Sequence, residues 1–466
     1  MPPALALVMY AIGIAMLFRL ERDAAARPSP ALWIPVAWLW IGASRNVGEW
    51  LGTAPSMRSP DQYLEGSPLD ALIFAALEAA ALAVLIARQP RTGAFLRANA
   101  AILLFFLYAA VSVVWSDYPV VALKRWTKAV GNVAMVLVVL TDPEPRAAVK
   151  AFLARAGFVL VPLSVLIIKY FPEWGRGFDF WTGRAYNTGV AVDKNGLGVV
   201  CLIVGLASLW RCLNALRERP FRRTPLMLHG GMLGMTVWLF SMADSATSLG
   251  CFLVGAVLIA VTTWFGSPRP AAVHLLSAGI VFVCVFGLLI DTDAGLVQAL
   301  GRDATLTTRT LLWNELVRFN VDPIFGTGFE SFWLGERARI LWAKYWWHPN
   351  QAHNGYLEMY LNLGWVGVTL LGLLLVRGYR NTVRTLQEDP ERGALWLAFF
   401  MAAVLYNLTE AAFKVVHPAW VIFLFTTVAV PAAVPLPLRK PLASAARSRP
   451  APTRGRPGRS LQKENV

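Results

Sequence analysis

Arg184 and Lys194 in "TGRAYNTGVAVDKNGLG", Arg302 and Arg309 in "GRDATLTTRTLLW", and His353 in "WWHPNQAHNGYLEMYLNLGW" are the side chains here best suited to chemistry. A guanidinium is planar, permanently charged and able to hold two phosphate oxygens at once. An imidazole can take a proton from a hydroxyl near neutral pH. Several of the first and one of the second, on one membrane face, suit a diphosphate-bearing substrate and a hydroxyl that attacks it. Asn195, Asn354, Tyr356, Glu358, Asn407 and Glu410 complete the set as candidates for holding that substrate. No DxD motif or carboxylate cluster accompanies them to hold a hard cation, so neither a metal nor another cofactor is expected.

The elements that must position these residues are membrane helices. Of 466 residues, 56% are hydrophobic and only 15% charged, with a mean hydropathy of +0.52. Soluble domains carry about a quarter charged residues. Spanning helices need roughly 20 apolar residues. Stretches that meet or approach this lie near 3–18, 31–44, 69–87, 99–115, 127–140, 157–170, 196–210, 226–241, 247–265, 272–290, 356–376, 394–412 and 418–436. The expected fold is therefore all-α, a polytopic membrane protein of about 12–14 transmembrane helices. Threaded alternately, one side collects more than half of the 43 Lys and Arg, which puts the N-terminus outside and the C-terminus inside. The net charge of +15 thus fits an anionic leaflet, and nucleic acid is not an expected partner.

The connection 291–355, assigned to the outer side, is too long to be structureless. Within it "TTRTLLWNELVRFNV" reads as an amphipathic helix capped by Thr307 or Thr308, and "ESFWLGERARILWAKYWW" as an interfacial one. The chain divides into N-terminal spans (1–170), a functional part (171–436, including 291–355) and a basic, disordered inner tail (437–466). Four scattered cysteines suggest neither a metal site nor a disulfide framework.

Each candidate also has a plainer reading. Arg309 could snorkel to headgroups, and Arg184 and Lys194 could bind lipid phosphates without specificity. Glu410 could pair with Lys414 one turn on. His353 could cap a helix, and the Trp-rich stretch 333–347 could be an aromatic belt. The conjunction argues for chemistry more than any single member does.

Together, "LTTRTLLWNELVRFNVDPIFGTGFESFW" and "HPNQAHNGYLEMYLNLGWVGVTLL" resemble the signature of the O-antigen ligase and polymerase superfamily. That signature runs Arg-Thr-x-x-Trp, Pro-x-x-Gly-x-Gly, then His-Asn-x-x-Leu entering a span. "GVAVDKNGLGVV" and "DSATSLG" resemble the branch that polymerises exopolysaccharide repeat units, and "YNLTEAAF" the late Asn-x-x-Glu motif. The matches cover about 180 to 415. The resemblance implies a GT-C-like glycosyltransferase of the bacterial inner membrane, working on the periplasmic side without metal or nucleotide sugar. Its donor would be an undecaprenyl-diphosphate-linked oligosaccharide and its acceptor a growing glycan. Membrane lipids, a chain-length regulator and export machinery would be further partners. His353 would deprotonate the acceptor, Arg309 would bind the departing diphosphate, and Arg184, with Lys194 as the alternative, would match the upstream arginine.

Two rivals remain at this point. A ligase would move finished polymer onto lipid A core or protein. A lipid-linked glycan flippase should instead show charges deep in several spans and often internal repeats. Here the charges gather at outer span ends, which favours catalysis.

Overall fold

The computed structural model describes residues 2–21, 27–53, 66–178, 183, 185–218, 222–264, 269–290 and 305–431, with backbone alone at 288–290 and 305–308. Arg184, Arg302 and the tail 437–466 lie outside the described residues. Met1–Pro431 forms one compact unit. Its helices in chain order are α1 (Pro3–Leu20), α2 (Trp33–Ala43), α3 (Val47–Trp50), α4 (Pro68–Ala87), α5 (Gln89–Ala98), α6 (Ala100–Val111), α7 (Pro119–Leu140), α8 (Pro145–Tyr170) and α9 (Pro172–Gly175). There follow α10 (Lys194–Arg217), α11 (Arg223–Ala243), α12 (Ala246–Trp264), α13 (Pro270–Ile290), α14 (Thr305–Arg318), α15 (Gly335–Lys344), α16 (Gly355–Glu388), α17 (Pro390–Thr409) and α18 (Pro418–Thr427). One short hairpin, β1 (Arg176–Phe178) with β2 (Ala185–Asn187), precedes α10.

The protein is an all-α polytopic membrane protein. Among the described residues nine helices are long and apolar enough to cross a membrane, and α5 with α6 and its 3-10 extension make a bent pair that could be a tenth. Each apolar stretch read from the sequence falls on a helix, though not every one is long enough to cross. Of the stretch expected to span 418–436, Pro418–Thr427 is helical and 428–431 is not, while 432–436 lie outside the described residues. There the backbone turns away, and the carbonyls of Thr426 and Val428 accept from Asn381, while Ala429 exchanges two bonds with Asn99. Among the nine, α10 and α17 are the most enclosed, each with 78% of its apolar window buried, and α1 is peripheral at 6%.

From residue 305 onward the connection after α13 is folded, as its length requires. Leu312 and Leu316 of α14, Leu341 of α15, Phe332, Ala352 and Leu361 are fully buried together in a core separate from that of the bundle. Trp333, Trp342, Tyr345 and Trp347 pack around it. Most of the aromatic stretch 333–347 is thus loop core, although Trp346 remains exposed. Helix α14 begins at Thr305, ahead of the cap expected at Thr307 or Thr308. Helix α15 covers only 335–344, because Phe329 to Trp333 are needed in turns that dock on the 3-10 end of α6 and on α16.

Helix α16 is broken. Gly364 has φ 61° and ψ −163°, a combination open essentially to glycine alone. The groups released by the break are taken up by the 323–327 turn: Trp365 N–H donates to the Pro323 carbonyl at 2.9 Å, Val366 N–H to Ile324 at 3.2 Å, and Thr327 N–H to Leu361 at 3.1 Å. A Cβ on Gly364 would lie 2.2 Å from the Ile324 carbonyl oxygen, whereas one on Gly372 in the same helix would meet nothing within 4 Å. Gly364→Ala is therefore expected to cost at least about 2 kcal/mol and Gly372→Ala far less. Heating the detergent-solubilised variants and following loss of the monodisperse peak tests this. Equal profiles for the two would sink it.

Candidate functional site

The 410–417 turn, the loop ahead of α16, the start of α10 and helix α14 meet at one end of the bundle. Their meeting point is a carboxylate. Glu410, just past the end of α17, is 4% exposed. Its Oε1 accepts from Arg309 Nη2 at 2.8 Å and from Asn195 Nδ2 at 2.9 Å, and its Oε2 lies 3.1 Å from His353 Nδ1. Arg309 also donates to the Thr409 carbonyl. Burial alone would push the Glu410 carboxyl up, but the bond from His353 and the charge of Arg309 outweigh it and hold it below the usual carboxylate range. The stability this contributes is present above the ordinary carboxylate range and fades as pH falls through the depressed value.

Several contacts fix His353. Its backbone is left-handed, φ 51°, a conformation uncommon outside glycine that persists only where the surroundings impose it. The preceding residue, Ala352, is clamped at both ends. Its N–H donates to Glu358 Oε1, and its carbonyl accepts from Trp313 Nε1 at 2.6 Å. Trp313 stands one turn after Arg309, so a single face of α14 supplies both a charged group and a loop anchor. After His353, Asn354 caps α16, its Oδ1 accepting from Tyr356 and Leu357 N–H at 3.0 Å each, and Gly355 N–H donates to the Glu410 carbonyl at 3.1 Å. Gly355 is required there, since a Cβ would fall 2.0 Å from Asn407 Oδ1.

The predicted residues divide between the site and its frame. Arg309, His353, Glu410 and Asn195 are brought together. Lys194, the neighbour of Asn195, turns instead toward Asp244, 3.8 Å away. Asn407 shapes the turn that carries Glu410, accepting from Ala412 and Phe413 N–H at 2.8 and 2.9 Å. Tyr356 donates to the Val404 carbonyl at 3.0 Å. Glu358 is 5% exposed and also accepts from Trp333 Nε1, at 2.9 and 3.0 Å, so it organises the loop ahead of His353 and does not touch the ring in this structure. Glu410 does not pair with Lys414. The helix has ended at Thr409, and Lys414 donates to Gln351 Oε1 at 2.9 Å. The snorkelling reading of Arg309 also fails, because its guanidinium points into the protein. Sequence reasoning gave no role to Trp313 or Gln351 and read Trp333 only as part of a possible aromatic belt. The four-residue spacing of Arg309 and Trp313 was the one signal that could have found the first.

Residues 229–372 match the family described as O-antigen ligase, a segment that contains both Arg309 and His353. The chain is also 24% identical over 315 residues to the exopolysaccharide production protein ExoQ of Rhizobium meliloti (strain 1021), covering 65% of this chain and 69% of that protein. Both similarities support a place in the O-antigen ligase and polymerase superfamily. With the apolar helices, they support a multi-pass membrane enzyme concerned with polysaccharide. Asn195 and Glu410 lie outside the 229–372 match and are joined to the site by the fold alone.

The frame assigned to Glu358 can be tested separately from the chemistry. Glu358→Ala would leave the Trp333 indole and the Ala352 N–H buried without an acceptor, at about 1–3 kcal/mol each. Hydrogen–deuterium exchange is expected to quicken across 347–353 while α17 keeps its protection. Unchanged exchange in that loop would remove Glu358 from the frame.

Proposed function

We propose that this chain is a glycan polymerase. It transfers an oligosaccharide from an undecaprenyl-diphosphate carrier onto a second lipid-linked oligosaccharide, on the periplasmic side of the inner membrane. The observation that carries this reading is the convergence of His353 and Arg309 on the single carboxylate of Glu410 at a membrane-helix end. The acceptor hydroxyl gives its proton to His353 and its oxygen bonds to the donor's anomeric carbon. The bond from that carbon to the diphosphate breaks, and the diphosphate leaves with the electron pair. Arg309 meets the charge that develops there, in a partly dry site where a fixed cation is worth most. Lys194 and Arg184 are the candidates for a second cationic contact, and the N-terminus is periplasmic with the basic tail 437–466 cytoplasmic.

The name of the relative supports polymerisation of an exopolysaccharide, and the description of the matched family supports ligation instead. The two reactions differ in acceptor, not in the roles of His353 and Arg309. Purified protein supplied with undecaprenyl-diphosphate-linked repeat units alone should lengthen them. Product formed only when lipid A core or a protein acceptor is added would identify a ligase. In the same assay His353→Ala should lower turnover by about 10²- to 10⁴-fold. Arg309→Lys keeps the charge but loses the fork that reaches both Thr409 and Glu410, and should lose on the order of 10²-fold. Near-normal turnover by either variant would remove that residue from the mechanism.

We also propose that the transfer runs without a metal, with Arg309 supplying the charge a cation would otherwise supply. Chelators should then leave turnover unchanged. Inhibition by EDTA that magnesium or manganese reverses would show the opposite.

A further inference from the structure

The two oxygens of Glu410 serve different partners, and this division dictates where the proton on His353 sits. Oε1 receives Arg309 Nη2 at 2.8 Å and Asn195 Nδ2 at 2.9 Å. A guanidinium can only donate. The Asn195 amide is fixed in the same sense, because its Oδ1 accepts from Ser245 Oγ at 3.2 Å. Oε2 is left for His353 Nδ1, 3.1 Å away. An ionised carboxylate only accepts, so Nδ1 must carry a hydrogen. Gln351 Nε2 competes weakly for the same nitrogen at 3.4 Å, and its amide is oriented by Lys414 at the other end.

We propose that Glu410 is a positioning residue: it locks His353 as the Nδ1–H tautomer, leaving Nε2 with a lone pair for the acceptor hydroxyl, while holding Arg309 on its other oxygen. This rests on the reading of His353 as the base. The free histidine side chain favours the opposite tautomer, with its hydrogen on Nε2, so the arrangement has to be imposed. Among the described residues Nε2 has no protein partner, and the His353 side chain is 23% exposed, which leaves that edge open to a substrate. The same logic places a carboxylate behind the histidine of Ser-His-Asp hydrolases, where an amide in its place yields the wrong tautomer.

The occupancy of Oε1 makes the consequence of Glu410→Gln definite. Two donors at that position require the amide oxygen there, so the amide NH₂ faces Nδ1. Nδ1 must then accept, and the ring is driven to the Nε2–H form. The side chain keeps its shape, but the lone pair facing the substrate is gone.

The test uses the full chain in lipid bilayers with ¹⁵N-labelled histidine rings. Nitrogen spectra are recorded at about pH 8.5, where an ordinary imidazole is neutral. The five histidines are separated by subtracting the spectrum of a His353→Gln sample. Wild type should show His353 with its proton on Nδ1, and Glu410→Gln should show it on Nε2. Turnover of undecaprenyl-diphosphate-linked repeat units by the same Gln sample should fall by at least about 10²-fold. A wild-type proton on Nε2 would overturn the proposal whether or not the Gln variant folds. So would a folded Gln variant that keeps Nδ1–H. The expected tautomers in a wild-type protein that turns over no lipid-linked donor would uphold the positioning role and sink the polymerase reading instead.

Discussion

Inside a bilayer every backbone N–H and C=O must find a partner within the protein, and irregular backbone is tolerated only where protein covers it. Three helix interruptions near one end of this bundle meet that constraint largely through one another. Ser112, at the 3-10 end of α6, accepts from Phe329 N–H of the long connection. The break at Gly364 is closed by the 323–327 turn of the same connection. The turn after α17 is closed by Asn407 from within and by Gly355 N–H from the start of α16. The connection is therefore part of the seal, and the candidate site residues stand on the pieces it seals.

Two buried glutamates show how this arrangement separates frame from chemistry. Glu358 and Glu410 are almost equally enclosed. The bonded partners of Glu358 are an indole, a backbone N–H and an amide, all neutral donors that tie loop to helix. Those of Glu410 include a guanidinium and an imidazole. Removing one partner of a buried ion pair commonly costs about 3–5 kcal/mol and stranding a buried neutral donor about 1–3 kcal/mol, so either carboxylate constrains its surroundings. Only the second constrains groups that can bind an anion and move a proton.

The helices were legible because hydropathy is a local sum, and a run of apolar residues announces itself without reference to the rest of the chain. Arg309 and His353 were legible as candidates only in conjunction, because cationic groups and an imidazole gathered on one face suggest chemistry while each alone has a plainer reading. The hub was not. Glu410 meets His353 across 57 positions, Arg309 across 101 and Asn195 across 215, and nothing local encodes such pairings. The pairing of Glu410 with Lys414 assumed a helix that continues, while the chain leaves α17 at Thr409. Gly364 carried no visible signal either, because a glycine in a helical pattern is ordinary until another backbone is found against it.

One feature of Arg309 sits awkwardly with a diphosphate-binding role, and its resolution favours that role. Its charge is already met by Glu410, which at first sight disqualifies it. An unpaired guanidinium at this depth would be costly whenever the site stood empty, since its side chain is only 19% exposed. Pairing with Glu410 keeps the empty site close to neutral and preserves the fold between turnovers. A guanidinium has five N–H donors in a planar fork, and the contacts with Thr409 and Glu410 occupy one on each terminal nitrogen. On the proposed reading it can therefore engage a diphosphate without releasing the carboxylate that also holds His353. A lysine, with a single ammonium on a flexible stem, has no fixed geometry for spanning both. The requirement for arginine thus follows from the need to bind an anion and remain part of the frame at once.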